Sequence, residues 1–260
     1  MSFLEIDQIH HTYFSKSSAT TALSDISLEV GEGEFISFLG PSGCGKTTLL
    51  SIIAGLIEPT SGNVLLEGHP VSPSDRQIGY MLQQDYLFPW KTIEENILLG
   101  LKLSNKLNSS SKAAALSLLS QMGLPEVRNQ FPKQMSGGMR QRVALVRTLA
   151  TEPKLLMLDE PFSALDYQTK LRLEDLVSST LKSFGKTAIL VTHDIGEAIS
   201  MSDRVYLFSP SPGRIHRTFD IPEELRKLTP FKARNNETYQ KIFQTIWKEL
   251  ESLEPGKTEH

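Results

Sequence analysis

The sequence predicts an α/β fold, and three observations predict it. Glu34-Phe35-Ile36-Ser37-Phe38-Leu39, Lys154–Asp159 and Lys186–Thr192 are each nearly continuous apolar runs. That is how parallel strands read when both faces are covered. The first run leads straight into Gly40-Pro41-Ser42-Gly43-Cys44-Gly45-Lys46-Thr47 and then into a helical stretch, Thr48–Leu56. From about Asp85 to Ala150, between the first and second runs, the character turns helical.

The elements follow in order. Leu4, Ile6 and Ile9 mark a strand near the start, and Leu23–Val30 alternates polar with apolar as a half-buried strand does. Gly31-Glu32-Gly33 is a turn into the Glu34–Leu39 strand. Glu58-Pro59-Thr60-Ser61-Gly62 is a second turn, and Asn63–Glu67 a further strand. Ser104–Lys112 is polar and reads as a loop. Ala115, Leu118, Leu119 and Met122 then fall at helical spacing, with Gly123 as a C-terminal cap and Pro125 beyond it. In the tail, Tyr239, Ile242, Phe243, Ile246, Trp247 and Leu250 fall on one helix face, expected to pack against the domain.

Composition sets bounds. At 260 residues, 39% apolar and 22% charged, the chain is an ordinary globular protein with a real core. A net charge of −3 argues against a general nucleic-acid binder, so no nucleic-acid partner is expected. The one cysteine, Cys44, permits no intramolecular disulfide and fits a reducing compartment. Neither a signal peptide nor a transmembrane run is read in the sequence. Work at a membrane would need another polypeptide to span it.

Residues 40–47 form a complete G-x-x-x-x-G-K-[ST] phosphate loop. Its glycines let backbone N–H groups turn inward onto phosphate oxygens. Lys46 supplies charge to the β/γ-phosphates, and the Thr47 hydroxyl is a ligand for Mg²⁺. The helix that follows adds its N-terminal dipole. Asp159 stands at the carboxyl end of an apolar strand, where such enzymes place the acid that holds Mg²⁺. Glu160 beside it is suited to orient or deprotonate an attacking water. Met135-Ser136-Gly137-Gly138-Met139-Arg140-Gln141-Arg142 opens a helix with Ser-Gly-Gly, a second anion site. One chain thus has two γ-phosphate-type sites but one nucleotide loop. A head-to-tail homodimer is the economical answer, with Ser136 of one copy closing over the nucleotide of the other.

These residues resemble the ATP-binding cassette family over nearly the whole chain. Gly40–Thr47 resembles its Walker A motif, Met135–Met139 its signature and Leu155–Glu160 its Walker B. Ser163-Ala164-Leu165-Asp166 resembles the D-loop. Gln83 resembles the Q-loop glutamine, with Gln84 its rival, and His193 the switch histidine. Tyr13, beside Phe14, sits where the family stacks a ring on adenine. The signature departs from the commonest L-S-G-G-Q at Met135 and Met139, while Ser136, Gly137 and Gly138 are intact.

The resemblance implies an α/β phosphate-loop NTPase core with an antiparallel β part and an inserted helical subdomain. The core would be residues 1–84 and 151–220, the signature subdomain 85–150, and the helical tail 221–260. ATP and Mg²⁺ are the implied cofactors. Catalysis would rest on Glu160, His193, Lys46 and Gln83, and the metal on Thr47, Gln83 and Asp159. Nucleotide contacts would come from Tyr13, from Gly40, Pro41, Ser42, Gly43, Cys44, Gly45, Lys46, Thr47 and Thr48, and from Ser136, Gly137, Gly138 and Asp166.

No long coiled coil, second cassette or membrane span is present. The resemblance therefore narrows to a stand-alone ATP-hydrolysing subunit of a membrane transporter, at the cytoplasmic face. Leu87-Phe88-Pro89-Trp90, Ser136-Gly137-Gly138-Met139 and Pro212-Gly213-Arg214-Ile215 look most like the nitrate, sulfonate and taurine importers. That group also includes carriers of thiamine-precursor pyrimidines. Its partners would be a second copy, transmembrane permease subunits and, indirectly, an extracytoplasmic solute-binding protein. Leu87–Trp90 reads as an exposed apolar run able to meet a permease. The alternative is a cassette ATPase of a regulatory or non-importer complex.

Overall fold

The computed structural model describes residues 2–73 and 77–253. The elements run β1 (Leu4–Phe14), β2 (Ala19–Val30), β3 (Phe35–Leu39), α1 (Lys46–Ile53), β4 (Ser61–Leu66), β5 (His69–Pro70) and β6 (Ile78–Met81). Then come α2 (Ile93–Leu103), α3 (Ser109–Gln121), α4 (Gly137–Leu149), β7 (Leu155–Asp159), α5 (Tyr167–Ser183) and β8 (Thr187–Thr192). The chain ends with α6 (Ile195–Met201), β9 (Arg204–Phe208), β10 (Ile215–Asp220), α7 (Glu223–Arg226), α8 (Pro230–Ala233) and α9 (Glu237–Leu253). They fall into two compact units, Met1–Asp75 with Glu174–His260, and Arg76–Leu173.

In the first unit β3 is the central strand. It pairs in parallel with β8 on one side and β9 on the other, and β10 adds antiparallel to β9. All five β3 residues and all six of β8 are buried, as their continuous apolar runs require. The antiparallel part is the sheet β2-β1-β4-β5. Leu4, Ile6 and Ile9 of β1 face Val30, Leu28 and Ile26 of β2. The register shifts between Ile6 and Ile9, at Gln8 with φ 47°. A bulge of one residue reverses the parity of the strand. Leu4 and Ile6 are buried before it, Ile9 and His11 after it.

The tail packs where its stripe predicts. Tyr239 and Ile246 of α9 are buried with Ile195, Ala198 and Ile199 of α6 and with Ile221 and Leu225, while Ile242, Phe243 and Leu250 pack against the cluster. α1 begins at Lys46, two residues ahead of the predicted Thr48, and ends at Ile53 because Gly55, at φ 69°, turns the chain out of the helix.

In the second unit β6 and β7 pair in parallel, and α2, α3 and α4 pack on one another. Two expectations are corrected here. The Ser104–Lys112 loop gives way to helix from Ser109. Asn108 accepts a hydrogen bond from Ser111 N at 2.9 Å, and Ser111 Oγ accepts one from Asn108 N at 2.9 Å. Polar caps of this kind read as loop in sequence but start a helix. Leu87–Trp90 is likewise not uniformly exposed: Leu87 is 7% exposed and Trp90 70%. Buried Asn96 is the cause. It accepts from Phe88 N at 2.8 Å and donates to the carbonyls of Phe88, Lys91 and Thr92, folding the segment back so that Leu87 enters the core. No described helix is long and apolar enough to cross a membrane.

Candidate nucleotide site

The first unit carries the phosphate loop between β3 and α1. Two glycines explain its shape. Gly45 has φ 91°, and a Cβ there would lie 2.7 Å from Leu23 Cδ2 and 2.8 Å from the Ala22 carbonyl. Gly43 has φ 79° and a Cβ there would meet nothing within 4 Å, so its open side faces free space. Lys46 is buried, and its ammonium donates to the Gly40 and Pro41 carbonyls at 2.8 and 2.9 Å, with Cys44 Sγ at 3.5 Å. The loop thus holds a cation on neutral carbonyls, which anionic phosphate oxygens would outcompete as acceptors. Gly45 caps α1 without a side-chain hydrogen bond, which leaves the first-turn N–H groups to an anion.

Tyr13 is 45% exposed at the end of β1. Its hydroxyl lies 3.2 Å from Thr48 Oγ1, and the His11 ring meets it edge-on at 4.5 Å. A half-exposed ring held from two sides is a fit platform for a base.

His193 is exposed just past β8, and both neighbours are pinned. Thr192 Oγ1 donates to the Glu197 carboxylate at 2.5 Å and accepts from Asp194 N at 3.0 Å. Asp194 Oδ1 accepts from Glu197 N at 3.0 Å, capping α6. His193 lines a cleft of about 540 Å³ with Gly40, Pro41, Ile195 and, from α9, Phe243 and Trp247.

The second unit groups the carboxylates with the signature helix. Asp159 is buried at the end of β7. Glu160 follows in the left-handed region, at φ 48°, which a residue with a Cβ adopts only under constraint. Its carbonyl supplies that constraint, accepting from Gln141 Nε2 at 3.0 Å, Ser163 Oγ at 3.0 Å and Ser163 N at 3.3 Å. Gln83 Nε2 donates to Glu160 Oε2 at 3.2 Å, so the predicted Q-loop glutamine and the predicted base are in contact. Ser136 caps α4 by accepting from Met139 N at 3.3 Å. Gly138 allows the Ser163–Asp166 turn to come close: a Cβ there would lie 3.2 Å from the Ala164 carbonyl. Asp166 accepts from Thr169 N at 3.0 Å, and its bonds with Thr169 hold its carboxyl below the usual range.

The motifs did not reveal Gln141. It is 4% exposed and links α4 to the backbone of both Glu160 and Ala164, accepting from Ala164 N at 3.1 Å. Its signal in the sequence is faint, because Arg140-Gln141-Arg142 is uniformly polar and only helix phase decides which residue turns inward. Arg140 lies in the same polar run and Arg147 is a lone charge among apolar residues, and neither motif nor spacing names their partners. Arg140 pairs with Asp85 at 2.9 Å, and Arg147 donates to the carbonyls of Asp85 and Tyr86 at 2.8 and 2.9 Å. Burial lowers the Arg147 pKa while Asp85 opposes that, and the two arginines fix the segment after Gln83 to α4.

Comparison with known proteins shows the family. A family profile described as ABC transporter matches residues 23–163, more than half of the chain. The uncharacterized ABC transporter ATP-binding protein YtlC of Bacillus subtilis is 63% identical over 260 residues, covering 100% of both chains. The taurine import ATP-binding protein TauB of Roseobacter denitrificans is 39% identical, covering 91% of this chain and 90% of that one. The aliphatic sulfonates import ATP-binding protein SsuB of Bacillus licheniformis is also 39% identical, covering 95% and 94%. Among solved structures, the dimeric post-hydrolysis state of the ATP-binding cassette MJ0796 bound to ADP and Pi superimposes with a TM-score of 0.77. It is 32% identical and covers 84% of this chain and 99% of that one. On the profile match and the identity to these relatives, the chain belongs to the ABC transporter family of ATP-binding proteins.

Proposed function

We propose that this protein is the ATP-hydrolysing subunit of a membrane importer, working as a head-to-tail dimer at the cytoplasmic face. One observation carries the reading. The chain has one phosphate loop but two glycine-opened helix starts suited to phosphate, at α1 and at α4. In a dimer, Ser136 with Gly137 and Gly138 of one copy would meet the γ-phosphate on the other copy's loop. The dimeric MJ0796 cassette supports a dimer, and the import names of TauB and SsuB support transport into the cell. Permease subunits are then the membrane partners, and a solute-binding protein an indirect one. Small sulfonates such as taurine are the solute class closest to these names.

In this reading Tyr13 stacks on adenine, and the loop amides with Lys46 and Thr48 hold the phosphates. Asp166 contributes from the turn after Glu160. Glu160 takes the proton of the attacking water, Gln83 holds the Glu160 carboxylate, and His193 steadies charge at the γ-phosphate. Thr47, Asp159 and Gln83 offer hydroxyl, carboxylate and amide oxygens. Oxygen donors suit Mg²⁺, which is commonly shared between one or two protein ligands and nucleotide phosphates. When bound, Mg²⁺ supplies charge to the β- and γ-phosphate oxygens.

The test mixes two variants. Ser136→Arg and Lys46→Ala should each abolish hydrolysis as homodimers, while Ser136→Arg still binds ATP. A mixed head-to-tail dimer holds one site with both lesions and one with neither, so mixing should restore part of the ATPase activity. Absence of any recovery, with mixed dimers demonstrated by pull-down, contradicts the shared site.

A further inference from the structure

We propose that the C-terminal segment is part of the switch itself, with Arg234 and Tyr239 as positioning residues that hold the Asp194 side of His193. This rests on the reading of His193 given above. The argument begins at Gly196, in the first turn of α6. A Cβ placed there would lie 2.9 Å from Asp194 Oδ1, 3.0 Å from Tyr239 Oη and 3.6 Å from Arg234 Nε. Three polar side chains, two of them from the tail, therefore converge on the turn that follows His193.

The cluster is anchored from behind. Arg234 Nη1 pairs with Glu174 at 2.5 Å, and Glu174 is completely buried. The Glu174 contact raises the Arg234 pKa against the effect of burial, so the guanidinium stays charged. Burial raises the Tyr239 pKa and Arg234 opposes it, which leaves a neutral phenol able to donate. A buried ion pair is a poor means of adding stability, because desolvation offsets most of the attraction. It is a good means of fixing a direction. Here it fixes the ring and fork that face Asp194, and Asp194 in turn caps α6 through Glu197 N. The two residues flanking His193 are thus each anchored, Thr192 by its bond to Glu197 and Asp194 by its place between the α6 cap and the tail groups at Gly196. Two turns further along α9, Trp247 walls the cleft that His193 shares with Gly40 and Pro41. The tail thus contacts the switch loop at its base and flanks it at its tip.

The experiment is a double-mutant cycle in steady-state ATPase assays, with thermal melts to verify folding. Tyr239→Phe removes one hydroxyl and should lower kcat roughly five- to tenfold, with KM for ATP unchanged. Gly196→Ala, which pushes on the same three groups without deleting any, should do the same, and it decides the matter if Tyr239→Phe does not fold. In a His193→Ala background, Tyr239→Phe should add less than about a twofold effect, since the residue acts through His193. Wild-type kcat in the folded variants overturns the proposal. So does a change confined to KM, or a full additional loss in the His193→Ala background. Wild-type activity of His193→Ala alone is a distinct failure, which removes the switch assignment and the positioning role with it.

Discussion

Replacing Gln141 with leucine tests whether the left-handed backbone at Glu160 is held from α4. Leucine keeps the volume and apolar packing of the position but removes both polar ends. The Ala164 N–H loses its acceptor at 3.1 Å, and the Glu160 carbonyl loses one of three donors, keeping those of Ser163. Ala164 is exposed, so water can take the place of the lost acceptor, and global stability should fall only by the net worth of one or two hydrogen bonds, about 0.5–1.5 kcal/mol. The effect on chemistry follows from φ 48° at Glu160, a conformation worth about 1–2 kcal/mol less than the ordinary ones. With a third of its carbonyl contacts gone, the backbone has freedom to relax and the carboxylate leaves its contact with Gln83. A displacement of about 1 Å at a reacting group costs up to a hundredfold in rate. We expect kcat for ATP hydrolysis to fall roughly ten- to a hundredfold, which corresponds to about 1.4–2.7 kcal/mol. ATP affinity should be unchanged, because Gln141 is neither in the phosphate loop nor beside Tyr13. Steady-state hydrolysis gives kcat, titration calorimetry gives affinity, and circular dichroism verifies the fold. A folded Gln141→Leu protein with kcat within about twofold of the parent would refute the reasoning.

Three further outcomes are expected. Tyr13→Ala should weaken ATP binding by about tenfold, the lower range for loss of one base-stacking ring, while Phe14→Ala leaves it unchanged; equal effects would move the adenine platform to Phe14. Trp90→Ala should leave ATP binding by the isolated protein intact and impair assembly with permease subunits, measured by co-purification, because Trp90 stands exposed beside Phe88 at a ring distance of 5.4 Å; unfolding of the isolated variant would assign Trp90 to packing instead. Glu94 is held below the usual carboxylate range first by its hydrogen bond to Lys112, with burial opposing and Arg128 assisting. A lowered folded pKa gives stability that is complete above the unfolded value and is lost as pH falls through the folded one. Glu94→Gln should therefore cost about 0.5–1 kcal/mol in urea unfolding at neutral pH, and the difference should vanish in acid; a difference independent of pH would contradict it.

Much of this molecule is local and so can be read from sequence. The phosphate loop is contiguous, its glycines sit where φ is positive, and the strands β3, β7 and β8 announce themselves as apolar runs because both faces are covered. The α9 stripe packs as its period predicts. What escaped depends on which partner, near or far, a polar group chooses. Nothing in Gln-Ile-His-His marks the bulge that turns His11 inward. Asn108 and Ser111 look like loop residues until they bond to each other's backbone. Leu87 looks exposed beside Phe88 and Trp90 until Asn96, nine residues on, folds the segment back. Gln141 is one polar residue among three, and helix phase alone turns it toward Glu160. Arg234 and Tyr239 carry no motif, and only the packing of the tail brings them to Gly196.

In the proposed function, Glu160 activates water on an ATP held between two copies of this chain. Glu160→Gln tests it most directly, since it keeps the shape and removes the base. With ATP, this variant should bind nucleotide as tightly as the parent, turn over at least about a hundredfold more slowly, and elute as a dimer on size-exclusion chromatography. Hydrolysis by Glu160→Gln at the parental rate would remove Glu160 as the base, and an ATP-loaded variant that stays monomeric would remove the shared site.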